Sequence, residues 1–239
     1  MTPPPGTPPG TPPGTPPGTP RAVLFDCDGV LADTEAMHNR IIAEEISALG
    51  WEMTPEACEK HFMGLSWEAI IPRVEARLGP GSVPADFIGG VVRRVMHCLR
   101  EEVPPVPGVL AALRAIVAAG IPVAVASNSS RPELATKLAM LGLAETFRGR
   151  AFSYNDVENP KPAPDMYRLA AAACGVDPHD CVVVEDSVTG ARAGRAAGCR
   201  VLGYAHATPA AHLTAVGAET FASMDELPGL LGLTAPVPG

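Results

Sequence analysis

The chain has 239 residues, of which 46% are hydrophobic and 18% charged, and its formal net charge is -8. This is room for one large domain, or one domain with a modest insert, with ample apolar material for a core. The acidic balance and the lack of any basic run exclude a nucleic-acid partner, and no apolar stretch nears the roughly 20 residues that span a bilayer.

The first 20 residues repeat Pro-Pro-Gly-Thr. Glycine at every fourth position rules out a collagen helix, which needs it at every third. A tail so rich in proline is expected to be disordered and partly polyproline-II. It lacks the basic and apolar regions of a secretory signal, so the protein is expected to be cytoplasmic. The richness in Ala, Gly and Pro suggests a GC-rich bacterial genome, as do 15 Arg against only Lys60, Lys137 and Lys161. Arginine is thus the default cation, and each lysine is informative. The six cysteines show no CxxC pair and no Cys/His spacing for zinc, and are read as small core residues in a reducing compartment.

Structure is expected to begin at Ala22-Val23-Leu24-Phe25, a continuous apolar run that suits a strand buried on both faces of a parallel sheet. From about Thr34 to Val103 only amphipathic helical patterns appear, as at 34–49, 55–62 and 66–78. The stretch ends in the stiff connector Val103-Pro104-Pro105-Val106-Pro107-Gly108. Beyond it, strand-like runs at 121–126, 181–184 and 200–203, with weaker ones near 151–152 and 219–222, alternate with helical patterns. These helices lie at 109–119, 132–141, 164–174 and 188–197, and Gly120, Gly142, Gly175 and Gly198 stand where helices close. The alternation predicts an α/β fold, a doubly wound parallel sheet with an inserted all-helical cap. The expected boundaries are a tail over 1–20, a core of 21–33 with 104–239, and a cap over 34–103. A cap that follows the first strand is expected over the strand ends, where open α/β sheets bind ligands.

Acidic residues gather at those ends. Asp26 and Asp28 follow the first strand, and Glu185 and Asp186 follow the run at 181–184. Crowded carboxylates repel unless a cation sits among them, and magnesium, a hard ion that prefers oxygen ligands and bridges to phosphate, fits. Ser127-Asn128-Ser129-Ser130 precedes a helix and offers hydroxyls and backbone N–H groups to an anion. Asn159-Pro160-Lys161-Pro162 holds a lysine between prolines, with its ammonium fixed in place.

The ordered motifs Asp-x-Asp-Gly-Val-Leu-x-Asp-Thr, Ser-Asn, Lys-Pro-x-Pro-Asp and Glu-Asp-Ser resemble those of the haloacid dehalogenase superfamily. The resemblance runs from Arg21 to about Leu230. The position of the insert is similar to the helical-cap subgroup of β-phosphoglucomutase, phosphoglycolate phosphatase and small sugar-phosphate phosphatases. It implies that Asp26 attacks phosphorus to form an aspartyl phosphate, and that Asp28 serves as acid and base. Magnesium would be held by Asp26, the Asp28 carbonyl and Asp186, with Glu185 in or beside that set. It also implies that Ser127 and Lys161 bind phosphoryl oxygens, with Asn128, Thr34 and His38 toward the substrate; Thr34 and His38 share one helix face. The mutase pattern would place Lys at Met63 and Arg at Trp67, and the absence of both favours a phosphatase for a small phosphorylated metabolite, such as a sugar phosphate. A phosphomutase and a catalytically silent binding domain stand as alternatives; a dehalogenase would not want Asp28. A monomer is expected.

Overall fold

The computed structural model describes residues 19–62 and 67–233, so the repeat up to residue 18, Met63 and the side chain of Trp67 lie outside the described residues. The chain divides into two compact units, Asp33–Pro104 and Met1–Ala32 with Pro105–Gly239. The first unit contains helices α1 (Glu35–Ala48), α2 (Pro55–Phe62), α3 (Trp67–Leu78) and α4 (Phe87–Glu101). Helix α1 packs against α2 and α4. Apolar residues of α1 and α4 are buried, Ile41 and Ile46 on α1 and, at i, i+4, i+8 spacing, Val91, Val95 and Leu99 on α4. Arg94 spans from α4 to Glu44 and Glu45 of α1. The Asp33 N–H donates to the Pro104 carbonyl and ties the two ends of this unit together.

The second unit holds a sheet of six strands: β1 (Ala22–Phe25), β2 (Val123–Ser127), β3 (Ala151–Ser153), β4 (Cys181–Glu185), β5 (Arg200–Tyr204) and β6 (Glu219–Phe221). All pairings are parallel, in the order β3-β2-β1-β4-β5-β6. Every residue of β1, β2 and β4 is buried, as their unbroken apolar runs require of central strands. The run at 121–126 enters the sheet only at Val123; Pro122 has no N–H to give, but its carbonyl accepts from Val23. The connecting helices are α5 (Val109–Ala118), α6 (Arg131–Met140), α7 (Asp165–Ala173) and α8 (Val188–Ala197), followed by the short α9 (Ala210–Thr214) and α10 (Leu227–Leu230). The glycines expected to close α5 to α8 all have positive φ. Among the described residues no helix is long and apolar enough to cross a membrane.

Alternation along the strands gives the sheet two buried faces. On one, Leu24, Ala124, Ala126 and Val183 join Met166, Tyr167 and Ala170 of α7 and Ala191 and Ala193 of α8 in a single core cluster. On the other, Phe25 meets Phe147 edge to face, with ring centroids 6.4 Å apart. All six cysteines are free, and four of them are buried.

Helix α8 lies so close to the sheet that a Cβ on Gly194 would sit 2.9 Å from Val201 Cγ2 and 3.1 Å from Val183 Cγ1. Alanine gains roughly 1 kcal/mol over glycine in helix propensity. Overpacking a tight core costs about 1–3 kcal/mol. Gly194→Ala is therefore expected to lower the unfolding free energy in urea, and an increase would contradict this packing.

Candidate active site

The strand order reverses between β1 and β4, with the chain winding outward to either side, and this is the point at which open α/β sheets form a ligand crevice. Asp26 follows β1, and Glu185 ends β4 with Asp186 next to it. One carboxylate oxygen from each lies within 4.8 Å of the others. The turn after β1 makes this approach feasible. Gly29 has φ +76°, and a Cβ there would stand 2.0 Å from Asp186 Oδ2. Any side chain at 29 would displace that carboxylate as well as strain the backbone.

Lys161 enters from the loop before α7. Its Nζ is 2.5 Å from Asp26 Oδ1 and 2.6 Å from Glu185 Oε1, and it lies over the Tyr167 ring at 4.7 Å. Tyr167 on α7 donates its own hydroxyl to Glu185 Oε1 at 2.8 Å. Glu185 Oε2 accepts from both the N–H and the hydroxyl of Ser187, at 3.1 and 3.0 Å. Both oxygens of Glu185 are thus shared between two donors. Asn128 grips the Lys161 backbone: its Oδ1 accepts the Lys161 N–H at 3.2 Å, and its Nδ2 donates to the Lys161 carbonyl at 3.3 Å. The expectation set Asn128 toward the substrate, whereas here its amide is spent on the loop that carries the lysine.

Asp28 has its own lysine. Lys137 on α6 is fully buried, with Nζ 2.5 Å from Asp28 Oδ1 and 2.8 Å from Ser129 Oγ. The Ser129 hydroxyl donates to Asp28 Oδ2 at 2.7 Å, and that of Ser127 reaches the same oxygen at 3.4 Å. The backbone N–H groups expected to face an anion at the start of α6 are occupied by side chains. Ser129 N–H donates to Ser127 Oγ, Ser130 N–H to Glu133, and Arg131 N–H to Asn155. That leaves Ser127 in the cluster but turns the loop inward, toward Asp28.

Thr34 and His38 belong to the helical unit. The buried Thr34 precedes α1, and its carbonyl accepts the His38 N–H at 3.0 Å. Lys137 and Tyr167 were not anticipated as site residues, and Ser129 was expected only within the anion-binding loop. For Lys137 a signal exists: with Leu134 and Leu138 it holds the i, i+3, i+4 positions of the buried face of α6, where a lysine is out of place unless paired.

Among the described residues the carboxylates of this cluster outnumber its ammonium groups, and a divalent cation suits such a set. Magnesium takes one or two carboxylates and keeps several waters, and Asp26 and Asp186 supply that number while Glu185 is engaged by Lys161, Tyr167 and Ser187. The donor set therefore fits magnesium. Burial pushes the Asp26 carboxyl up to about 7 from an ordinary value of 3.8; Lys161 opposes this, and Glu185 and Asp28 add to it. Burial would lower both lysines, yet their carboxylate partners leave each raised. Tyr167 is held well above its usual value by burial and by Glu185.

A family model for haloacid dehalogenase-like hydrolases matches residues 20–198. The chain is 30% identical over 212 residues to the 6-phosphogluconate phosphatase of Escherichia coli K12, covering 87% of this chain and 93% of that protein. It is 33% identical over 181 residues to hexitol phosphatase B of the same strain, over 75% and 81% of the two chains. A crystal structure of a haloacid dehalogenase-family hydrolase from Deinococcus radiodurans R1, with bound phosphate and sodium, superposes with a TM-score of 0.78. That protein is 32% identical, and the match covers 92% of this chain and 100% of the other.

The raised carboxyl has a consequence for the metal-free protein. In the unfolded chain Asp26 ionises near 3.8, whereas in the fold it holds its proton to about 7. Its contribution to stability is complete below the lower value and is lost as pH rises through the upper one. Without divalent metal, the stability of Asp26→Asn relative to the parent is expected to grow between pH 4 and 7 in urea titrations. A difference independent of pH would contradict the burial of this carboxyl.

Proposed function

The chain belongs to the haloacid dehalogenase-like hydrolases and is a phosphatase of that family, and we propose that it hydrolyses a small sugar or polyol phosphate with magnesium, through a phosphoryl group carried on Asp26. The observation that carries this reading is the buried Asp26 carboxylate at the switch point, on Lys161 Nζ and beside Glu185 and Asp186. The names of the two relatives, one a phosphatase of 6-phosphogluconate and the other of hexitols, support the substrate class.

Asp26, Asp186 and the Asp28 carbonyl would hold the metal, and Glu185 would act by fixing Lys161 rather than as a ligand. When bound, magnesium supplies positive charge to the phosphoryl oxygens and to the carboxylate that approaches them. An oxygen of Asp26 attacks phosphorus, and the bond from phosphorus to the ester oxygen breaks. Asp28 gives its proton to the departing alkoxide. Water then attacks phosphorus, Asp28 takes a proton back, and the Asp26 carboxylate leaves from inorganic phosphate. Lys161, held against Asp26 and Glu185, keeps positive charge where the transferring oxygens arrive. Asn128 is a positioning residue for Lys161, and Ser127 contributes its hydroxyl beside Asp28.

Inorganic phosphate release is to be measured over a panel of sugar and polyol phosphates, with and without magnesium, for the parent and Asp26→Asn. Release that needs magnesium is expected, with the variant at least about a thousandfold slower, as befits loss of a nucleophile. Full activity in Asp26→Asn would overturn the assignment. Isomerised product with little free phosphate, dependent on a sugar bisphosphate, would make the enzyme a mutase instead.

A further inference from the structure

Charge compensation alone does not account for Lys137. Its side chain has no solvent exposure, whereas its partner Asp28 is 32% exposed. A carboxylate that water reaches does not need a buried ammonium to be tolerated, and an ion pair that desolvates one partner is often matched or bettered in stability by apolar packing. Arginine is this chain's default cation, but the planar guanidinium is a wide fork, whereas lysine is a single charge on a thin stem. A thin stem suits the buried face of α6, which Lys137 shares with Leu134 and Leu138.

The geometry at the far end of that stem is closed. Lys137 Nζ touches Asp28 Oδ1 at 2.5 Å and Ser129 Oγ at 2.8 Å, and Ser129 Oγ touches Asp28 Oδ2 at 2.7 Å. Each oxygen of the carboxylate has its own donor, so both its position and its plane are defined. Ser129 is held in turn by the turn in which its N–H donates to Ser127 Oγ. A group that must deliver a proton to a leaving oxygen and then receive one from water has to occupy the same place twice, and displacement of about 1 Å in such sites can cost a hundredfold.

We infer that Lys137, together with Ser129, is a positioning residue that clamps the Asp28 carboxylate in place for both proton transfers. This rests on the role proposed above for Asp28. The clamp acts on a side chain and touches no substrate, so its loss should appear in kcat rather than in KM.

The test is steady-state kinetics of Lys137→Met, Lys137→Ala and Ser129→Ala on the best substrate of the phosphomonoester panel, with circular dichroism and thermal midpoints alongside. For Lys137→Met the expected result is a folded protein with kcat reduced about tenfold or more, within the range of a general acid–base contribution, and KM changed by no more than about threefold. Ethylamine is expected to restore part of the Lys137→Ala rate, and ethanol none. In an Asp28→Asn background Lys137→Met should cause no further loss, since the two act as one unit. A folded Lys137→Met with kcat within about twofold of the parent, or effects that add fully with Asp28→Asn, would overturn the clamp. Should neither Lys137 variant fold, Ser129→Ala decides by the same criteria. If the parent turns over no ester, the phosphatase reading fails by itself. A crystal structure of Lys137→Met then decides the clamp: an Asp28 carboxylate displaced or in several rotamers supports it, and one left in place overturns it.

Discussion

Four carboxylates must share the crevice between β1 and β4, and the arrangement of the sheet unit around that crevice follows from their repulsion. Burial above all, with the like charges beside it, disfavours ionisation, as the raised Asp26 carboxyl records. Compensation comes from both sides of the sheet order. Lys161, from the loop before α7, answers Asp26 and Glu185, and Lys137, from α6, answers Asp28. The carboxylates still outnumber the two lysines, and a divalent cation set among them would offer positive charge to a phosphoryl group. The charge balance thus links the fold to phosphoryl chemistry without any wider basic surface, in keeping with a chain whose formal net charge is -8.

The same crowding explains features that look incidental. Tyr167 presents its ring to one ammonium and its hydroxyl to Glu185, so one aromatic residue of the α7 core sets two charged groups. Gly29 leaves the space that Asp186 fills. Asn128 and Ser129 spend their side chains on Lys161 and Asp28 rather than on open space. The strand-end loops are therefore positioned by each other, and a rigid parallel sheet below fixes their roots.

Much of this was legible in the residues. Continuous apolar runs gave β1, β2 and β4 as buried central strands, because a strand covered on both faces has no polar side to show. The acidic pairs after β1 and β4 and the proline-flanked Lys161 stood at strand ends, where topology brings them together. The partners of these groups were less legible. Lys137 lies 109 residues from Asp28 in sequence, and the link depends on how α6 rolls against the sheet, which periodicity does not specify. The inward turn of the serine loop was hidden for a related reason: hydroxyls serve a ligand or a neighbouring turn equally well, and only the fold decides. Glu185 was expected in or beside the metal set, and its oxygens meet Lys161, Tyr167 and Ser187 in the same cluster as Asp26 and Asp186, partners that sequence position does not specify.

The central claim is that the crevice exists to place a phosphoryl group on Asp26, and covalent trapping tests it most directly. The enzyme would be quenched during magnesium-supported turnover, treated with borohydride and digested for peptide mass spectrometry. Reduction of an aspartyl phosphate yields homoserine. The account predicts homoserine at position 26, only when substrate and magnesium are both present. Sustained turnover with Asp26 intact, or with the modification at another carboxylate, would contradict it.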